Sequence, residues 1–164
     1  MRNILIAYVS KTGTTAEAAA LIASRLEEKG FYTTVLPISE AGSLEIYDSF
    51  IIGGPINGMT WHPEASSFVS TNTVILSEKD VSFFCLSYMI KTGRDFWKKQ
   101  ISKAFDSSAA KVKPSSTGIF GGKIDKELPG IARFIFGVKR GSDADQRDNS
   151  EVIAWADKWA EDHK

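Results

Sequence analysis

Four hydroxyl side chains surround one glycine in Ser10-Lys11-Thr12-Gly13-Thr14-Thr15. The loop follows an apolar run, Ile4 to Val9, and precedes an alanine-rich stretch with helical spacing. A strand, a short loop and a helix in that order put the loop at a helix N-terminus. There the first N–H groups lack intrahelical partners and the dipole favours negative charge. Gly13 allows backbone conformations that a β-carbon forbids. Hydroxyl donors at such a point bind an anion, so the loop reads as a phosphate cradle. Simple capping of the helix by Ser or Thr is the competing reading.

Two further stretches carry candidate chemistry. Gly54-Pro55-Ile56-Asn57-Gly58-Met59-Thr60-Trp61-His62 follows a short apolar run, and Asn-Gly favours a turn with positive φ. Trp61 is either a structural residue under the loop or a flat surface on which an aromatic ligand stacks. His62 suits local hydrogen bonding or proton transfer. Ser87-Tyr88-Met89 follows another apolar run, with Tyr88 either an opposite wall or a surface residue. Other α/β chemistries lack their signatures. There is no G-x-G-x-x-G after the first strand, no G-x-x-x-x-G-K-[ST] and no G-x-S-x-G. No acidic residue lies near the end of the first strand, and no His, Cys and carboxylate cluster has metal-ligand spacing.

The elements that position these loops follow from periodicity. Ile4–Val9, Ser49–Gly53 and Val81–Leu86 are almost wholly apolar, as strands covered on both faces are. Phe31–Leu36, with two threonines and Pro37 at its end, suits an edge strand, and Thr117–Phe120 is a fifth. Helices are expected from Thr15 to about Glu28, stopped by Gly30, and from Pro63 to about Asn72. Others are expected over Arg94–Phe105, with Phe96, Trp97, Ile101 and Phe105 inward, and over Asp148–Glu161. Asp148 and Glu151 have capping-box spacing, with Asn149 and Ser150 as alternative caps. The result is one α/β domain with a long segment, 121–147, before the last helix. In a sheet ordered 2-1-3-4-5, the loops after strands one, three and four meet at the carboxyl edge, where ligands bind in such folds.

Composition narrows the partners. The chain has 164 residues, with 20 basic and 20 acidic side chains and a formal net charge of zero. That offers no electrostatic case for nucleic acid. The one cysteine, Cys85, lies in Phe83-Phe84-Cys85-Leu86 and reads as a buried hydrophobe. No run approaches the roughly 18–20 apolar residues of a membrane span, and none resembles a signal peptide, so a cytoplasmic protein is expected.

The loop Ser10–Thr15 resembles the T-G-x-T phosphate loop of flavodoxins, with Thr14 where asparagine is commoner. Gly53-Gly54, Trp61-His62 and Asp145-Gln146-Arg147-Asp148 through Trp155 resemble the flavodoxin-domain group that includes the menaquinone-dependent protoporphyrinogen dehydrogenases. The resemblance implies a flavodoxin-like three-layer sandwich around a five-stranded parallel sheet in order 2-1-3-4-5. It implies FMN as cofactor, its phosphate held by Ser10, Lys11, Thr12, Gly13, Thr14 and Thr15. Pro55, Ile56, Asn57, Gly58 and Trp61 would line one side of the isoalloxazine ring, and Ser87, Tyr88 and Met89 the other. No catalytic side chain and no metal are called for.

Two roles then stand open. One is an oxidoreductase acting on a quinone or porphyrinogen, and the other a one-electron carrier between protein partners. Carriers of this kind are usually strongly acidic, which steers them to basic partners. The zero net charge favours the enzyme. The segment 128–140 spaces Ile131, Phe134, Ile135 and Val138 as one helical face among Lys126, Arg133, Lys139 and Arg140. It suits packing on the domain, a second copy in a homodimer, a lid, or peripheral membrane contact.

Overall fold

The computed structural model describes residues 2–57, 60–88, 99–100, 102–103, 105, 112–124 and 144–164, with the backbone alone at Asn57 and Ala144. Strand β1 (Asn3–Tyr8) leads into helix α1 (Thr14–Glu28), then β2 (Tyr32–Pro37) and β3 (Ser49–Asn57). A two-residue strand, β4 (Thr60–Trp61), precedes α2 (Pro63–Thr71), α3 (Thr73–Ser77) and β5 (Asp80–Ser87). The chain continues through β6 (Ser116–Gly121), β7 (Lys123–Ile124) and β8 (Ala144–Asp145) to α4 (Asn149–Asp162).

The parallel strands run β2-β1-β3-β5-β6. Counting these five alone, this is the expected 2-1-3-4-5 order. Their apolar runs work as a two-sided core. Leu5, Ala7, Phe50, Ile52, Phe83 and Cys85 point to the layer of α2, α3 and Phe105. Their neighbours Ile4, Ile6, Ile51, Phe84 and Leu86 point to α1 and α4. Alternation between two buried faces is why these strands show no polar residue every second position. Each fully buried large side chain contributes about 1.5–3 kcal/mol by leaving water.

Helix α1 ends as expected. Gly30 adopts φ 91°, and the Gly30 and Phe31 N–H groups bond back to the Glu27 and Leu26 carbonyls at 3.0 and 3.1 Å. Asp148 caps α4, its carboxylate accepting from the Ser150 N–H at 3.0 Å. On the far side Trp159 donates to the Ser82 hydroxyl at 2.8 Å, and Arg25 of α1 and Lys29 just after it pair with Asp157.

Three features depart from expectation. Strand β3 runs past Gly53 to Asn57 and folds back, Ile56 pairing with Trp61 and Asn57 with Thr60. Of the expected loop, Gly54 and Pro55 therefore extend the parallel pairing with β5, and Ile56 and Asn57 form one side of a short antiparallel ribbon. Helix α3 was not expected, because Asn72 and Thr73 interrupt the periodicity. Strands β7 and β8 pair antiparallel, Lys123 with Asp145 and Ile124 with Ala144, and bring the two ends of the stretch 125–143 side by side. The readings made of 125–143, and those of residues 94–98 and 101 in the third helix, lie outside the described residues. Phe105, from the end of that helix, packs in the core.

Cys85 is fully buried, and burial pushes its thiol well above the ordinary range. A thiolate-directed reagent is expected to leave the native protein unmodified and to label Cys85 in denaturant. Rapid labelling of the folded protein would contradict this packing.

Candidate functional site

The cradle is built where β1 passes into α1. Gly13 occupies the N-cap position with φ 86° and ψ −18°, a left-handed conformation open to glycine. No side chain caps the helix. The hydroxyls of the loop are therefore not spent on capping, and the simple capping reading fails. Thr12 and Thr14 place their hydroxyl oxygens 3.2 Å apart. Thr14 and Thr15 are buried in the first turn of α1. Ser10 presents a buried hydroxyl oxygen with no hydrogen-bond partner among the described residues. Such a group costs about 1–3 kcal/mol unless something satisfies it. Hydroxyls, an unsatisfied buried donor and free helix N–H groups fit a phosphate. Lys11 is exposed at the rim.

The sheet carries the other two loops to the same edge. Tyr8 pairs with Gly53, Pro55 with Leu86 and Ser87 with Gly121, while the Val9 N–H bonds to the Gly53 carbonyl at 2.9 Å. Residues 10–15, 55–57 and 87–88 thus share the carboxyl end of the central strands. Pro55 and Ile56 are half-buried, Ser87 is buried and Tyr88 is half-buried. Gly58 and Met89, also expected at the ring, lie outside the described residues, as does the Asn57 side chain.

Trp61 departs from its expected role as a stacking wall. It is 2% exposed, its indole 5.2 Å from the Phe83 ring and 5.1 Å from the Phe105 ring, with its N–H donating to the Gly54 carbonyl at 3.2 Å. Its faces are taken by the core, which is the structural alternative. His62 is a local hydrogen-bonding residue, its Nδ1 accepting from the Glu64 N–H at 3.3 Å as the N-cap of α2. Among the described residues no cluster of His, Cys, Asp and Glu suits a metal, and no helix is long and apolar enough to cross a membrane.

One charged group near the cradle was missed. Arg147 donates from Nε to both oxygens of Asp145, at 2.9 and 3.0 Å, and pairs through Nη1 with Glu17 in the first turn of α1. These side-chain bonds pull the Asp145 carboxyl down to about 2 and push the Arg147 guanidinium up. Arg147, Glu17 and Thr14 line one cleft with Leu86, Phe120 and the start of α4. The only signal in the sequence was the stretch Asp145–Asp148, whose partner lies far away along the chain.

The family model for the flavodoxin domain matches residues 5–148. The chain belongs to the flavodoxin domain family. No curated protein matches it by sequence. Among solved structures, oxidised flavodoxin 1 from Bacillus cereus is similar, with 15% identity, TM-score 0.63 and 97% of each chain covered. A Fusobacterium nucleatum flavodoxin bound to flavin mononucleotide has 14% identity and TM-score 0.54, with 99% of each chain covered. The rubredoxin oxygen:oxidoreductase of Desulfovibrio gigas has 13% identity and TM-score 0.59, covering 99% of this chain. This chain spans 36% of that oxidoreductase's length, so the flavodoxin-like fold there is one part of a larger protein. At these identities the likeness is one of fold. FMN is the cofactor of flavodoxin-like domains, as the Fusobacterium structure illustrates.

Proposed function

We propose that this flavodoxin-domain protein binds FMN and works as an oxidoreductase on an organic acceptor or donor such as a quinone or porphyrinogen. The observation that carries the cofactor reading is the buried, unpartnered Ser10 hydroxyl beside a helix N-terminus that no side chain caps. FMN, when bound, supplies the redox chemistry. The protein's own residues anchor and shelter it. Ser10, Thr12, Thr14, Thr15 and the backbone N–H groups after Gly13 take the phosphate. Pro55, Ile56, the Asn57 backbone, Ser87 and Tyr88 stand where the ring would lie.

The zero net charge supports an enzyme over a carrier, because it gives no long-range steering toward a charged protein partner. Gly53-Gly54 and Trp61-His62, which carried the resemblance to the protoporphyrinogen dehydrogenases, have packing roles here and argue for no particular substrate. The second reading is a one-electron carrier. It is supported by the near-complete mutual coverage with the flavodoxins of Bacillus cereus and Fusobacterium nucleatum.

Purified protein is expected to carry stoichiometric FMN or to take it up from solution. After anaerobic reduction it is expected to pass electrons to a soluble quinone analogue with turnover. Failure to hold FMN sinks the cofactor reading. Reduced protein that ignores quinone and porphyrinogen but reduces a protein acceptor decides for the carrier.

A further inference from the structure

We infer that Arg147 is a positioning residue for the cofactor phosphate, acting by holding the Glu17 carboxylate away from the mouth of the cradle. The inference rests on the FMN reading above. Glu17 lies in the first turn of α1, and its N–H bonds to the Gly13 carbonyl at 2.9 Å. A carboxylate in a first turn is drawn to the helix's free N–H groups and positive dipole end. Those are the groups a phosphate needs, so an unrestrained Glu17 both competes with the phosphate and repels it.

Arg147 resolves the conflict, and its own position does not depend on Glu17. Its Nε donates to both Asp145 oxygens and its Nη2 to Oδ2 at 2.5 Å, while its backbone N–H bonds to Asp145 Oδ1 at 3.0 Å. Asp145 is held in turn by the pairing of β8 with β7. Just upstream, Gly121 is pressed against the Gln146 carbonyl, so closely that a Cβ there would lie 2.0 Å from that oxygen. The guanidinium therefore projects from a braced turn, and its remaining nitrogen, Nη1, takes Glu17. Thr14, Glu17 and Arg147 line one cleft, which places the pair beside the cradle.

The test is a double-mutant cycle read by equilibrium binding of FMN and of riboflavin, which lacks the phosphate. Arg147→Gln is expected to weaken FMN about 10-fold, equivalent to about 1.4 kcal/mol. Riboflavin affinity is expected to stay unchanged, and the FMN defect to shrink as salt is added. Adding Glu17→Gln to Arg147→Gln is expected to restore wild-type FMN affinity, since the freed charge is gone. A double variant as weak as Arg147→Gln would show that the bridge merely braces the fold and overturns the inference. So would equal losses for riboflavin and FMN, or an unaltered Arg147→Gln. Wild-type protein that binds no FMN overturns both this inference and the cofactor reading, which separates that failure from the others.

Discussion

Gly53→Ala is expected to lower the thermal midpoint by about 10 °C, corresponding to about 3 kcal/mol for a domain of this size. Gly53 pairs with Phe84 across β3 and β5. A β-carbon at Gly53 would lie 2.0 Å from Phe84 Cζ and 2.1 Å from Cε1. The Phe84 ring cannot swing aside at small cost. It is fully buried among Ile51, Leu86, Phe120 and the inner faces of α1 and α4. Phe84→Ala alone is expected to cost about 3–5 kcal/mol as a cavity. Combined with it, Gly53→Ala should add little, because the clash has lost its partner. Additive losses, or an unshifted midpoint for Gly53→Ala, would show that the Phe84 ring does not demand a glycine at this position.

Thr12→Asp is expected to act in opposite directions on the empty and loaded protein. Thr12 is exposed, and its hydroxyl lies beside that of Thr14 just ahead of α1. A carboxylate there meets the positive end of the helix and should stabilise the apoprotein by about 0.3–1 kcal/mol. The same carboxylate occupies the field that the phosphate requires. FMN affinity should fall by more than about 100-fold, the scale of losing charge-assisted hydrogen bonds worth about 1.5–3 kcal/mol each while adding repulsion. Riboflavin should bind as to the wild type. Calorimetric stability of the apoprotein and fluorescence titration with both flavins check the three outcomes. Undiminished FMN binding would rule out Ser10–Thr15 as the phosphate site.

The strand order and the two-sided core were legible because they are written locally. Ile4–Val9 and Val81–Leu86 are apolar without alternation, and only a strand covered on both faces accepts that. The strand–loop–helix junction at Ser10–Thr15 was legible for a similar reason, since its hydroxyls, glycine and following helix are consecutive. What escaped depends on distant residues. Gly53 reads as the last residue of its strand, but the strand runs on to Asn57 and the Phe84 ring of the neighbouring strand lies over the glycine. Trp61 sits among loop residues in sequence, but the β3–β4 ribbon turns it inward against Phe83 and Phe105. Arg147 and Glu17 meet across most of the chain, and no local pattern announces an ion pair at that range.

The β7–β8 ribbon separates two jobs that a single chain must otherwise perform together. With Lys123 paired to Asp145 and Ile124 to Ala144, the entry and exit of the stretch 125–143 are fixed to each other before that stretch is considered. Doubling the length of a loop whose ends are already joined adds only about 0.6 kcal/mol of closure entropy. Neither the sheet register nor the cradle has to change when it does. The fold thus joins the two ends of this stretch at its carboxyl edge, so that longer, shorter or chemically different segments can be fitted between them while the sheet and the Ser10–Thr15 loop stay as they are.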